Sequence, residues 1–178
     1  MNRLAGIGIT AGLAIVLSAN AAQAPHAAEH ASIRSQLVGT WELVSSEDHL
    51  KDGSVRAYPD AGPHGKGFLL YTAEGYMCAQ LMNPDRAQWK DEDEPTDAQK
   101  ISAFDGFSSY CGQYEVNEAE AIVYHLPKTA SYPPYVGTRQ RRPATLRGDM
   151  LTFADKIDNE GDVASYVIVW RRVSGAGR

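Results

Sequence analysis

Beyond its first few dozen residues the chain is a succession of short runs in which apolar and polar positions alternate. Alternation with period two belongs to strands with one buried face. Thr40 to Ser46 reads as the first, with Trp41, Leu43 and Ser45 on one face. Lys51-Asp52-Gly53-Ser54 is a turn, and Val55 to Tyr58 predicts a second short strand. Pro59 to Lys66 holds two prolines and two glycines and reads as a loop. Gly67 to Tyr71 and Gly75 to Met82 form a hairpin about Thr72-Ala73-Glu74-Gly75. Phe107 to Val116 and Glu120 to Leu126 pair across Asn117-Glu118, and Pro127 to Pro134 is a loop. Val136 to Leu146 follows, and Met150 to Ala154 and Val163 to Val173 make the last hairpin around Asp158-Asn159-Glu160-Gly161.

Helical signals are few. Ser32 caps a single turn, Ile33 to Leu37, ending at Gly39. Thr96 with Gln99 three residues on is a capping box that opens a helix to about Phe104. Its apolar positions Ile101 and Phe104 are placed to lie over a barrel mouth. Long helices never alternate with the strands, which excludes a doubly wound sheet. The pattern predicts an all-β fold, a barrel or a sandwich, of about eight to ten strands. Gly39-Thr40-Trp41 at its start and Val167 to Arg172 at its end are the strands that meet if the sheet closes.

The N-terminus changes the picture. Arg3 is followed by an apolar run from Leu4 to Leu17 and by small residues from Ser18 to Ala24. This is the pattern of a secretory signal peptide over 1–24, with Ala21 and Ala24 both fitting as the last residue removed. The apolar run, about 14 residues, is shorter than the roughly 20 that a spanning helix needs. No membrane insertion is expected elsewhere. Residues 25–36 read as a flexible tether and 37–174 as one domain. The formal net charge of −5 becomes −6 once Arg3 is removed. An acidic product argues against nucleic acid as a partner. The local basic cluster Arg139, Arg141, Arg142 and Arg147 reads as outward-facing strand charge.

An exported chain carries its two cysteines, Cys78 and Cys111, into an oxidising compartment. Each shares a strand face with polar residues, so both point outward. They form either one bridge or two unpaired thiols. A bridge would close a loop of some 30 residues, worth roughly 3–4 kcal/mol.

Six stretches carry a resemblance: Leu37 to Leu43, Lys66 to Tyr71, Gly75 to Met77, Tyr110 to Val116, Gly137 to Arg142 and Trp170 to Arg172. In this order they resemble the bacterial and fungal lipocalin-like domain family, whose opening strand carries Gly-x-Trp. The resemblance implies an antiparallel up-and-down β-barrel with an interior for one small molecule. It also implies that Arg171 or Arg172 stacks on Trp41 and seals the closed end, a cation–π contact. One departure is Pro133-Pro134-Tyr135, where the family often has Pro-Asn-Trp. That puts Tyr135 among the residues that set ligand preference.

Candidate chemistry is sparse. His125 sits inside a strand and is either a catalytic acid or base, a ligand contact, or a hydrogen-bonded histidine of the wall. Tyr110 and Tyr114 share a face with Gly112 between them, which suits an inward wall with room beside the glycine. Met77 lines the same interior from the neighbouring strand. Arg141 and Gln140 lie on opposite faces, and Arg141 is the candidate for an anionic ligand group. The ligand-binding set is thus Met77, Tyr110, Tyr114, His125, Tyr135 and Arg141. No metal site and no cofactor is expected: the other histidines stand apart, and no phosphate loop, dinucleotide fingerprint or nucleophile motif occurs. The acidic run Asp91 to Glu94 lacks the spacing of a calcium loop. The expectation is a secreted or periplasmic barrel that binds a small, mainly hydrophobic molecule. The alternatives are an isomerase, cyclase or hydro-lyase working in the cavity, or a cell-envelope structural protein with a filled core.

Overall fold

Nine antiparallel strands form one sheet, and the sheet closes on itself. The computed structural model describes residues 31–90, 94–158 and 161–174. The predicted leader, residues 25–30 of the tether, Asp91 to Asp93 and the tip of the last turn lie outside them. The strands are β1 (Gly39–Leu50), β2 (Val55–Ala57), β3 (Lys66–Tyr71), β4 (Tyr76–Met82), β5 (Phe107–Asn117), β6 (Ile122–Ala130), β7 (Gln140–Arg147), β8 (Met150–Lys156) and β9 (Val163–Arg172). Two helices, α1 (Ile33–Leu37) and α2 (Asp97–Asp105), and a 3-10 turn at Pro133–Tyr135 complete the described elements. The sheet order is β2-β1-β3-β4-β5-β6-β7-β8-β9, and a further β1–β9 pairing closes eight of the strands into the barrel. β2 is an extra strand beside the far half of β1, at Glu47 to His49.

Closure depends on β1. Its first residues pair with β3, Trp41 opposite Leu69, while from Trp41 onward it runs against β9, from Trp41–Arg172 to Leu50–Val163. The register shifts between Leu43 and Ser45. A bulge adds one residue to one strand and puts the following side chains on the other face. Val44 is accordingly exposed, and the buried positions beyond it are Ser46 and Asp48. The simple alternation that placed Ser45 inward ignores this bulge. Ser46 takes the inward place.

The end at Trp41 is sealed. Leu37 and Trp41 are fully buried, and the indole Nε1 donates to the Leu37 carbonyl at 2.8 Å. Of the two candidate arginines, Arg172 lies 4.1 Å over the Trp41 ring; Arg171 faces outward. Arg172 also donates to the carbonyls of Val38 and Gln36. The Glu118 carboxylate accepts from the backbone of Ile33 and Arg34 at 2.7 and 2.9 Å, satisfying first-turn donors of α1. The last part of the expected tether therefore belongs to the fold. Leu69, Tyr71, Met77, Tyr114, Val123, Leu151, Phe153 and Trp170 complete the core above this seal.

Cys78 stands directly opposite Cys111 on β4 and β5, and the two are disulfide-bonded. Beside this bridge, Gly112 serves a close approach. A Cβ there would lie 2.0 Å from the Leu126 carbonyl oxygen, so β6 occupies the room expected beside the glycine. β6 also runs through Pro127 and Lys128, where a loop was expected; a bulge between Cys111 and Gly112 accommodates them. The Thr96–Gln99 capping box opens α2 as predicted, but no residue of α2 is buried. Ile101 and Phe104 are more than half exposed and do not cover the cavity described next.

Candidate functional site

The half of the barrel away from Trp41 holds a partly enclosed cavity of about 310 Å³. Its floor is shared with the core through Leu69, Phe153 and Trp170. Ala79, Leu81, Ile157 and Ile168 extend the apolar wall. Tyr58, Tyr110, Tyr135 and Tyr166 bring hydroxyl groups, while Ser46, Asp48, Gln140 and Arg142 add polar ones.

His125 lies at the centre of a chain of three hydrogen-bonded groups. It is fully buried on β6, with Nε2 2.5 Å from the Tyr71 hydroxyl and Nδ1 2.8 Å from the Tyr110 hydroxyl. A neutral imidazole has one donor and one acceptor. The Tyr71 hydroxyl is buried and has no other partner among the described residues, so its proton is satisfied only by donating to Nε2. The remaining proton then sits on Nδ1 and is donated to the Tyr110 oxygen. Hydrogen-bond satisfaction thus assigns the tautomer, and it leaves the Tyr110 proton free for the cavity. Burial, reinforced by the Arg142 charge, holds the His125 pKa well below its usual value. Burial likewise pushes Tyr71 and Tyr110 up, with the Arg142 guanidinium opposing the rise at both. All three groups are neutral at neutral pH.

Arg142 is half-buried and lines the cavity from β7. Its Nη1 donates to the Arg141 carbonyl at 3.0 Å, and its guanidinium lies 5.6 Å from the Tyr166 ring centre. No carboxylate among the described residues forms an ion pair with it. The neighbouring arginines are committed: Arg141 to Asp155, and Arg139 to Glu115 at 3.0 Å and the face of Tyr124. Asp48, the acid of the cavity wall, is paired with Arg56 at 3.4 Å. Two further polar atoms, Ser46 Oγ and Trp170 Nε1, are buried without a hydrogen-bond partner, and both residues line the cavity.

Of the predicted ligand contacts, Tyr110, His125 and Tyr135 come together here. The Tyr135 ring stands edge-on to Tyr110, 5.8 Å between centres. Met77 and Tyr114 do not line the cavity. They pack in the sealed half, where Tyr114 stacks edge-on to Tyr71 and donates to the Thr72 carbonyl at 2.9 Å. Arg141 faces outward, and the inward arginine is Arg142. The signal was available: Gln140 and Arg142 share a strand face, so an inward Gln140 brings Arg142 with it. Ser46 and Trp170 were missed for other reasons, the first behind a bulge and the second as an ordinary core residue. Among the described residues no three metal-binding side chains converge.

Barrel closure, the Trp41–Arg172 seal and an interior cavity are the anatomy that the resemblance implied. A family model for the lipocalin-like domain matches residues 38–173. The chain belongs to the lipocalin-like domain family. Neither the curated proteins nor the solved structures compared with it include a significant match. The matched span begins one residue before β1 and ends one residue after β9, so the lipocalin-like domain is the whole barrel. The helical plug α1 is an addition at its N-terminal edge. Among the described residues no helix is long and apolar enough to cross a membrane.

Proposed function

We propose that this lipocalin-like protein is exported and holds one small, mainly apolar molecule in its barrel. The observation that carries this reading is the cavity of about 310 Å³, walled by Leu69, Leu81, Phe153, Ile168 and Trp170, with unmet polar atoms at Ser46 and Trp170. Ligand sites are mostly apolar with a few placed polar groups. Buried polar atoms without partners are costly unless something binds them. Export is supported by the signal-like N-terminus and by the Cys78–Cys111 bridge, since such bridges persist in oxidising compartments. Native mass spectrometry of protein recovered from its host's exported fraction tests both points. A co-purifying small molecule on a chain shortened after Ala21 or Ala24 is expected. Ligand at about a hundred times its Kd should also stabilise the fold by about 2.7 kcal/mol. An uncleaved chain would overturn the export reading. Absence of both an adduct and a thermal shift across a broad panel of apolar compounds would overturn the binding reading.

The Tyr71–His125–Tyr110 chain favours a second reading, an isomerase, cyclase or hydro-lyase. A hydroxyl backed by a histidine and facing an apolar cavity is placed to protonate or polarise a substrate carbonyl. Tyr110→Phe separates the two readings. For an enzyme it should cut turnover by about 100-fold or more. For a binder it changes affinity alone.

A further inference from the structure

We propose that the molecule in the barrel is an amphipathic monocarboxylate, its carboxylate seated between the Arg142 guanidinium and the Tyr110 hydroxyl. This rests on the binding reading above and goes further by naming the chemical class. Two independent features of the cavity lead to it.

The first is charge. A guanidinium does not give up its proton inside a protein, so Arg142 carries a full positive charge at the edge of an apolar space. Placing a charge there is costly unless it is paired. Its neighbours on β7 and β8 offer the Arg141 carbonyl but no free carboxylate, because Arg141 already holds Asp155. Asp48, the acid across the cavity, is held by Arg56, which also reaches Asp162. The side chains that hydrogen-bond with Arg142 are those of Tyr110 and Tyr166, which are neutral. No carboxylate among the described residues pairs with Arg142, and an anion from outside the chain would be its direct partner.

The second is the direction of the hydrogen bonds. Tyr71 donates to His125, His125 donates to Tyr110, and Tyr110 is left with a proton and no acceptor. A hydroxyl that accepts a hydrogen bond becomes a stronger donor, because bonds in a chain polarise one another. Tyr110 and Arg142 thus present donors from β5 and β7 to the same space and no acceptor. Planar carboxylate oxygens fit such a pair, and guanidinium–carboxylate bonds are among the stronger ones in proteins. One guanidinium balances one charge, which favours a carboxylate over a phosphate monoester dianion. The apolar remainder of the ligand lies against Leu69, Phe153 and Ile168.

Decanoate, decanol and decyl phosphate share one tail and differ in their heads. Their affinities for the full chain, measured by isothermal titration, test the assignment. Decanoate is expected to bind at least about ten-fold more tightly than decanol, with decyl phosphate weaker than decanoate. In Arg142→Met the preference for decanoate over decanol should fall by roughly thirty-fold or more, the usual loss when one partner of a buried charge pair is removed. Arg142→Lys, which keeps the charge and loses the fork, should fall between the two. The wild-type ratio decides the matter even if neither variant folds. Equal binding of decanoate and decanol, tighter binding of decyl phosphate, or an unchanged preference in Arg142→Met would each overturn the proposal while leaving an apolar-ligand barrel intact. If none of the three binds, the carboxylate proposal fails, and the broad panel of apolar compounds decides whether the binding reading fails with it.

Discussion

His125 shows how much a single residue depends on its surroundings. On an exposed strand it would titrate near neutrality. Here burial and Arg142 together hold it neutral. The consequence for stability has a definite sign. Below about pH 6.5 the unfolded chain's histidine binds a proton that the folded chain's does not. The unfolded state then holds more protons, so stability falls as the pH drops from there toward the depressed folded value. Melting temperature should therefore decline between about pH 7 and about pH 5, ahead of carboxylate titration. In His125→Gln, which cannot titrate, the decline should be shallower. Equal slopes for the two proteins would mean that His125 is not held neutral. Gly112 is the opposite kind of residue, defined by what it lacks. A glycine between two inward tyrosines looked like space for a ligand, whereas the backbone of β6 fills it.

At the level of elements, the barrel is tied together unevenly. β1 runs along β9 from Trp41 to Leu50 but along β3 only from Gly39 to Glu42. β4 and β5 are held by seven paired positions and by the Cys78–Cys111 bridge near their middle. The bridge spans 33 residues of sequence, including α2 and the polar segment before it. Closing a loop of that size stabilises by about 3–4 kcal/mol in the chain-entropy account. Reduction should therefore lower the denaturant midpoint and steepen the transition, since the reduced unfolded chain is more expanded, and Cys78→Ser with Cys111→Ser should match the reduced protein. A midpoint indifferent to reductant would show that packing of β4 on β5 already restrains this segment. The α2 helix adds little to the core, since its apolar residues stay exposed. Its boundaries were readable because a capping box is local chemistry. Its role was not, because a short amphipathic pattern says nothing about which surface it meets.

Across the whole molecule the sequence told most where the rule was periodic and least where it was broken. Period-two alternation and turn residues gave nearly every strand, and the paired termini implied closure. Gly39-Thr40-Trp41 with Arg171 or Arg172 marked the sealed end, and the structure chose Arg172. The working end was harder. There a bulge after Leu43 exchanged Ser45 for Ser46, another let β6 continue through Pro127, and the 140s strand turned Arg142 inward in place of Arg141. Each is an offset of one residue. Alternation offers both phases of a strand and does not choose between them, because the choice is set by how neighbouring strands pair. Trp170 was legible as part of the closing strand but not as a side chain with an unanswered N–H, which depends on what stands opposite it. The two ends therefore differ in how they are encoded, one by motif and one by register.

The bulge in β1 has a further consequence for how the protein can change. Before it, Trp41 and Leu43 belong to the sealed core; after it, Ser46 and Asp48 belong to the cavity. The strand is thus written in two phases, and the extra residue is the punctuation between them. Substitutions in the second phrase alter what the barrel recognises, while the first phrase keeps its contacts with Leu37 and Arg172. The interior can acquire new specificities without renegotiating the plug at the sealed end.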